Sequence, residues 1–283
     1  MSSDGLELAA PLAHSFAHSM TAAQAQRGAA PQIELAILSR QGGREYNEDA
    51  CGHWNSARHL CCVVADGAGG HGGGDIAARL AVRHILDQYA GAPLTCTEDV
   101  HDLLIDTNAQ VIRHRADGPA LAQMHTTVVS LFIDLDSAQA LWGHAGDSRL
   151  YVFRQGQMLA LTRDHSVVLA LVEAGLLTPD QIRTHPRRSE LLSALGTDPA
   201  DLLVTAVTTP WSLQAGDVFL LCTDGLWEYV EEAQMTASLA HAQTPSQWLA
   251  SLEQLVLRQV QLINKPRHDN FSGIALWVGQ PSR

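Results

Sequence analysis

"VADGAGGHGGGD", residues 64–75, combines two features that predict different folds and different chemistry. Gly67, Gly69 and Gly72 have the G-x-G-x-x-G spacing of a dinucleotide-binding turn, and they follow an apolar run, as that turn requires. Asp66 stands directly before the first of these glycines, where its negative charge would face a bound pyrophosphate. The stretch therefore predicts either a loop that binds phosphate through backbone amides or a loop that binds a metal ion through a carboxylate.

The composition excludes some classes of partner. The chain has 283 residues, of which 46% are hydrophobic, enough for one large domain or two small ones with a sizeable core. Its formal net charge of −12 disfavours a surface for nucleic acid or anionic membranes, which would need a basic field, and suits a protein that collects cations. No apolar run approaches the ~20 residues that span a bilayer. We therefore expect a cytoplasmic protein without membrane partners.

The N-terminal stretch, residues 1–32, differs from the rest of the chain. It is rich in Ala and Ser, and it has neither the basic segment nor the compact apolar core of a secretory signal. We predict a poorly ordered tail over 1–32 and one domain over 33–280. Buried, reduced thiols are predicted for the five cysteines, because no C-x-x-C pair is present. The cysteines are Cys51, Cys61, Cys62, Cys96 and Cys222.

Short apolar segments predict strands that are buried on both faces. They cover residues 33–38, 60–65, 128–133, 149–153, 218–222 and 274–278. Helical patterns lie between some of them but do not follow every strand, so the order lacks the regular rhythm of βαβ units. This order predicts an α+β layered sandwich, and it disfavours the parallel sheet of a dinucleotide-binding fold.

Three longer stretches have the periodicity of helices with one apolar face. They are residues 75–88, 99–115 and 245–262. In the second stretch, Ile105, Ala109 and Ile112 fall on the predicted apolar face. Residues 164–195 are predicted to form several short helices, the last of them over "RRSELLSAL", residues 187–195.

Aspartates recur where apolar runs end. Asp66 and Asp224 each follow such a run and precede a glycine, Asp147 lies between two predicted strands, and Asp269 precedes the last strand. A carboxylate at the end of a buried strand is costly without a counter-charge, and Lys and Arg are scarce near the first two. Carboxylates and carbonyls are the hard oxygen ligands of Mg²⁺ and Mn²⁺, whereas zinc would need clustered His and Cys. The pattern therefore favours a divalent metal centre.

Seven motifs occur in the order typical of one family. The chain resembles the metal-dependent type 2C (PPM) Ser/Thr protein phosphatases, and in particular their compact bacterial members, over about residues 33–279. The resemblance implies a four-layer α-β-β-α sandwich with two central antiparallel sheets and a helical flap insert at about residues 165–200. The motifs are "SRQGGREYNEDA", "VADGAGGHGGGD", "HTTVVSLFI", "GHAGDSRLYVFRQG", "LTRDHSVVLALVEAGLLT", "LLCTDGLWEYV" and "HDNFSGIALWV".

The resemblance also implies a metal site with two divalent ions, magnesium or manganese, and room for a third. Asp66 would bridge the two ions, and the carbonyl of Gly67 would bind the second. Asp224 and Asp269 would complete the protein ligands of the first ion. Asp147, together with Asp224, would hold the third and weaker ion.

Four further residues receive roles from the same resemblance. Glu48 and Asp49 would orient metal-bound waters. Arg44 would bind the substrate phosphate, since a guanidinium can donate two parallel hydrogen bonds to it. His71 is the candidate general acid for the departing alkoxide, although an exposed loop histidine without a catalytic role is the alternative.

The activity implied by the resemblance is hydrolysis of phosphoserine and phosphothreonine in proteins by a hydroxide that bridges two metal ions. The expected partners are phosphorylated proteins and a Ser/Thr kinase pathway that the enzyme opposes, and we expect a monomer. A catalytically weak pseudophosphatase that binds phosphoproteins as a regulator is the alternative.

Overall fold

The computed structural model describes residues 6–8, 31–69, 73–116, 118 and 121–279. The strands are β1 (Leu6–Leu8), β2 (Ile33–Arg40), β3 (Asp49–Asn55), β4 (His59–Ala68), β5 (His125–Thr126), β6 (Val128–Asp134), β7 (Gln139–Ala145), β8 (Arg149–Arg154), β9 (Gln157–Leu161), β10 (Thr205–Ala206), β11 (Trp211–Ser212), β12 (Asp217–Cys222) and β13 (Phe271–Val278). The helices are α1 (Gly74–Gly91), α2 (Thr97–Arg115), α3 (Val167–Glu173), α4 (Asp224–Trp227), α5 (Glu232–Leu239) and α6 (Pro245–Leu262).

Two antiparallel sheets form the centre of the molecule. Among the described residues, eight strands form the first sheet in the order β1-β3-β4-β6-β7-β10, with β11 beside β7 and β5 beside β4. Five strands form the second sheet in the order β2-β13-β12-β8-β9. Helices α1 and α2 cover the first sheet, and α6 packs on β2 and β13 of the second. The predicted α-β-β-α sandwich is therefore confirmed.

Strand β4 shows why its apolar run is continuous. Cys61 and Val63 belong to the apolar cluster beneath α1 and α2. Cys62 and Val64, which point to the opposite face, belong to the cluster between the two sheets. Because successive side chains of a strand alternate between its faces, a strand covered on both sides needs apolar residues at every position. The apolar run ends before Asp66, which is half-buried.

The described part of the N-terminal stretch is short. Strand β1 pairs with β3, with Leu6 opposite Trp54 and Leu8 opposite Gly52. Most of residues 1–30 lie outside the described residues, so the predicted tail stays a prediction. None of the helices in the described ranges combines the length and the apolar character that crossing a membrane would need.

Four of the five cysteines are buried, as predicted. Cys51, Cys61, Cys62 and Cys222 are free and buried, whereas Cys96 is half-buried at the start of α2. Burial raises the pKa of all four buried thiols, so they stay protonated and behave as small apolar side chains.

Helix α2 buries a different face from the predicted one. Ile105 is 38% exposed, and the other two residues of the predicted face are half-buried. Asn108 is buried instead, because its amide donates to the Thr197 carbonyl at 3.0 Å and accepts from the Gly196 N–H at 2.6 Å. The buried residues are Val100, Leu103, Leu104, Thr107, Asn108 and Val111.

The flap contains less helix than the sequence predicts. Within residues 165–200, α3 ends at Glu173, and a single 3-10 turn covers Pro179–Gln181. The helix predicted over 187–195 is absent from the structure of that segment, which forms turns and two isolated bridges.

Long-range backbone hydrogen bonds explain the missing helix. The Leu192 N–H donates to the His165 carbonyl at 2.8 Å, and Leu195 exchanges two backbone hydrogen bonds with Thr126. These partners are distant in sequence, so helical periodicity cannot reveal them. Residues 187–195 therefore serve to tie the flap to the first sheet.

We predict that Phe153→Ala will lower the free energy of unfolding by about 3–5 kcal/mol. Phe153 is fully buried, and its ring meets that of Trp248 edge-on at 5.5 Å, so truncation leaves a cavity between β8 and α6. Urea denaturation measures the change. Leu262→Ala is the control because Leu262 is 73% exposed, and equal losses in the two variants would contradict the assigned core.

Candidate metal centre

Five of the predicted carboxylates meet at one end of the two sheets. Asp49 and Asp66 are direct partners across β3 and β4. Asp224 follows β12, Asp147 follows β7, and Asp269 precedes β13. Burial raises the pKa of Asp66 well above its ordinary value, and the charges of the other four raise it further. The structure therefore brings residues from distant parts of the sequence into one acidic cluster.

The backbone of Asp66 is held from both sides by a pair of threonines. The Thr127 hydroxyl accepts the Asp66 N–H at 3.0 Å, and the Thr127 N–H donates to the Asp66 carbonyl at 2.8 Å. The Thr126 hydroxyl donates to the same carbonyl at 3.0 Å. These contacts fix the main chain and leave the carboxylate to the cluster, which agrees with the hydrogen-bonding role expected for threonine at a strand end.

Asp49 and Asp224 are connected through Thr223. The Thr223 hydroxyl donates to Asp49 Oδ2 at 3.0 Å and accepts the Ser272 N–H at 3.0 Å. Burial raises the pKa of Asp49 to about 8, although hydrogen bonds from Ser272 and Thr223 act to lower it. Burial and the neighbouring charges of Glu228 and Asp269 raise the pKa of Asp224 to about 7.

Asp147 lies deeper than the other acids, at 4% exposure. Burial raises its pKa well above the ordinary value, and the charges of Asp224 and Asp164 add to the effect. The Arg149 guanidinium acts in the opposite direction. The indole N–H of Trp227 donates to the Asp147 carbonyl at 2.9 Å.

Glycines allow the chain segments around the cluster to touch. A Cβ on Gly67 would lie 2.1 Å from the Gly74 carbonyl oxygen and 2.7 Å from that of Glu48. A Cβ on Gly225 would lie 1.9 Å from the Asn270 carbonyl oxygen. These positions need glycine because neighbouring backbone occupies the space of a side chain.

Arg44 contacts one of the predicted metal ligands. Its Nη2 lies 2.5 Å from Asp269 Oδ2, and the two side chains are 51% and 39% exposed. Arg44 also lines an open cleft of about 610 Å³ together with Tyr46, Glu48 and Arg267. The guanidinium thus stands at the mouth of the acidic cluster.

Glu48 lies between this cleft and the cluster. Burial raises its pKa, the charge of Asp75 raises it further, and Arg44 lowers it. Its Oε1 atom is buried without a hydrogen-bond partner. His71, the candidate general acid, lies outside the described residues.

Asn270 is a site residue whose role the sequence analysis missed. Its Oδ1 accepts the Glu48 N–H at 2.9 Å, and its Nδ2 donates to the carbonyls of Gln41 and Tyr46 at 2.6 and 3.0 Å. It therefore fixes the loop that carries Arg44 and Glu48. The available signal was its position directly after Asp269, in front of an apolar strand.

As the side chains stand, no three His, Cys, Asp or Glu residues of the described ranges form a group that could hold a metal ion. Asp269, one of the predicted ligands, is paired with Arg44.

Known proteins share both the sequence pattern and the fold. Residues 39–260 match the family model described as "Protein phosphatase 2C". The serine/threonine phosphatase stp of Listeria innocua is 33% identical over 210 residues, which cover 72% of this chain and 81% of the relative.

Two solved structures show the same architecture. The serine/threonine phosphatase PstP/Ppp of Mycobacterium tuberculosis superposes with a TM-score of 0.73 and 28% identity over 88% of this chain and 99% of that one. A second structure is the PstP catalytic domain in complex with two manganese ions, with a TM-score of 0.71 and 26% identity over 88% and 99% of the respective chains. The chain belongs to the protein phosphatase 2C family.

Proposed function

We propose that this protein is a metal-dependent phosphatase that hydrolyses phosphoserine and phosphothreonine in other proteins. The observation that carries the proposal is the buried cluster of carboxylates in a member of the protein phosphatase 2C family. The Listeria relative is named a serine/threonine phosphatase. The substrates would be phosphorylated proteins, and the activity would oppose a Ser/Thr kinase.

The chemistry of the cluster fits divalent cations. Glu48 Oε1, Asp49 Oδ1 and Asp224 Oδ1 are buried and have no hydrogen-bond partner. Burial and the charges of neighbouring carboxylates raise the pKa of Asp66, and Arg44 offsets this negative charge only in part, through Asp269. Mg²⁺ and Mn²⁺ favour such oxygen donors, and the related PstP domain is described with two manganese ions.

The proposed ligands follow from this fit. Asp66, Asp224, Asp269 and the Gly67 carbonyl would hold two divalent ions, and Asp147 with Asp224 would hold a third. Glu48 and Asp49 would act through water. When bound, the ions would acidify water and screen the negative charge of the phosphate.

The remaining steps depend on protein groups. Arg44 would exchange Asp269 for the substrate and donate hydrogen bonds to phosphate oxygens, stabilising the charge that spreads over them in the transition state. The hydroxyl of Thr223 keeps Asp49 oriented. His71 stays the proposed proton donor to the departing alkoxide of serine or threonine.

The non-catalytic alternative gains no support from the named relatives, which are phosphatases. Tight phosphoprotein binding without turnover would restore it. A monomeric state, a cytoplasmic location and a particular kinase pathway stay predictions. Gel filtration would test the monomeric state, and a phosphoproteome of cells that lack the protein would test the pathway.

With Mn²⁺, we expect the purified protein to release phosphate from a phosphothreonine peptide and from p-nitrophenyl phosphate. Asp66→Asn and Asp224→Asn should each lower kcat/KM by about 100-fold or more, because each removes a proposed metal ligand. Asp102→Asn, whose side chain is 84% exposed on α2, is the control. Full activity in the first two variants, or none in the wild type, would refute the proposed function.

Arg44→Ala should lower kcat/KM by about 10- to 100-fold, because charged hydrogen bonds to phosphate are lost. The same change frees Asp269, so Mn²⁺ affinity should not fall. Initial rates at varied peptide and metal concentrations separate the two effects. Arg58→Ala is the matched control, since Arg58 is 70% exposed and pairs only at 3.4 Å with Asp136. A kcat/KM equal to that of the control would exclude phosphate binding by Arg44.

In EDTA, we expect stability to fall as the pH rises from about 4 to 8. The native pKa values of about 8 for Asp49 and about 7 for Asp224 exceed the ~3.9 of an unfolded aspartate, so the native state retains protons that the unfolded state loses. Each group can contribute a slope of up to ~1.4 kcal/mol per pH unit in this window.

Urea denaturation at several pH values measures this dependence. Asp224→Asn should reduce the slope and raise metal-free stability at pH 8, whereas Asp102→Asn should change neither. Stability that is flat or rises between pH 4 and 8 would contradict a cluster of unpaired acids.

A further inference from the structure

Trp227 connects the end of β12 to a distant part of the acidic cluster. Its ring is 1% exposed in the short helix α4, and its indole N–H donates to the Asp147 carbonyl at 2.9 Å. The two residues are 80 positions apart in the chain. Because Asp224 begins the same helix, Trp227 joins two proposed ligands of the third ion.

The position of the indole is itself fixed. The Arg149 guanidinium carbon lies 3.5 Å from the centre of the ring, close enough for a cation–π contact. Asp164 holds that guanidinium with two hydrogen bonds, of 2.8 and 2.7 Å, and both side chains are more than nine-tenths buried. The buried Arg149–Asp164 ion pair thus helps to fix the orientation of the indole, and with it the direction of the N–H.

The backbone that receives this hydrogen bond has an uncommon conformation. Gly146 has a φ of +102°, and a Cβ there would lie 2.7 Å from Thr127 Cγ2. Its N–H donates to His165 Nδ1 at 3.2 Å, and its carbonyl accepts the His165 N–H at 2.9 Å. The direction of the next side chain, Asp147, therefore depends on contacts from outside the turn.

We propose that Trp227 is a positioning residue that holds the Asp147 main chain where its carboxylate can bind the third divalent ion. The inference rests on the proposed function, because it assumes metal binding by Asp147. A tryptophan needed only for packing would be replaceable by another aromatic ring. The hydrogen bond to Asp147 predicts that the N–H itself matters.

The test is calorimetric titration of the metal-free, full-length protein with Mn²⁺ in the absence of substrate. Trp227→Phe keeps an aromatic ring and loses the N–H, and it should raise the Kd of the weakest ion about fivefold, the effect of one hydrogen bond. The tighter ions should bind as in the wild type. Asp147→Asn should remove the weakest ion and so identify it.

Trp248→Phe is the matched control. Trp248 is also fully buried, and its indole N–H donates to the Met235 carbonyl at 3.2 Å and to Ser238 Oγ at 3.0 Å, behind the second sheet. Trp248→Phe should leave every Kd within about twofold, although it also removes a buried indole N–H together with its contacts to both acceptors. Equal Mn²⁺ binding by the Trp227 and Trp248 variants would overturn the proposal.

A measurement on the wild type does not depend on variant folding. In a ¹⁵N–¹H spectrum, the indole peak of Trp227 should shift with Mg²⁺ at the midpoint of the weakest ion, while that of Trp248 stays in place. A Trp227 peak that never moves would overturn the proposal. If the wild type neither binds metal nor hydrolyses phosphopeptide, the proposed function fails and this inference fails with it. Failure of the inference alone would leave wild-type metal binding and hydrolysis intact.

Discussion

Burial of like charges at one end of the two sheets is the constraint on which the site depends. Burial and the surrounding carboxylates raise the pKa of Asp66, and Asp147, one of these carboxylates, is almost fully buried. Charges of one sign separate unless the backbone forces them together or a counter-ion joins them. Here the strands hold the acids together, because each acid lies at or beside the end of a strand whose apolar residues are packed in a core.

Close contact between backbone segments makes this arrangement possible. Gly67 and Gly225 stand where neighbouring carbonyl oxygens leave no room for a Cβ. Thr127 then binds the Asp66 backbone near the end of β4, and Asn270 binds the backbone of the loop before β3, so that these part-buried polar groups keep partners. Gly67 and Gly69, two of the three glycines with the spacing of a dinucleotide-binding turn, are required here by neighbouring backbone atoms. Glycine marks close approach of backbone in both folds, and the preceding carboxylate distinguishes them.

The parts of the structure that could be predicted are those with local causes. Continuous apolar runs located six strands whose faces are covered on both sides, but they missed β3, β7 and the largely exposed β9. The six are β2, β4, β6, β8, β12 and β13. The order of motifs, by its resemblance to a known family, then supplied the sandwich and the convergence of the aspartates. The flap segment 187–195 was mispredicted because its backbone bonds to Thr126 and His165, far away in sequence. Ile105 was assigned to the wrong face because Asn108, a polar residue, is buried by its contacts to the flap. Long-range hydrogen bonds produce no periodic pattern in the sequence, so these two features could not be predicted from periodicity.

The same cluster ties folding to ion binding. In the described part of the chain, three apolar clusters stabilise the fold, one between the sheets and one under each helical layer. The repulsion among the buried acids at one end of the sheets destabilises it. Arg44 offsets part of that charge through Asp269, yet Asp49 and Asp224 keep buried oxygens without partners. An ion that binds only the folded chain adds stability as its concentration exceeds its Kd. Divalent cations that serve the proposed reaction would therefore also offset the unfavourable burial of these acids, and Arg44 would become free for phosphate once an ion binds Asp269.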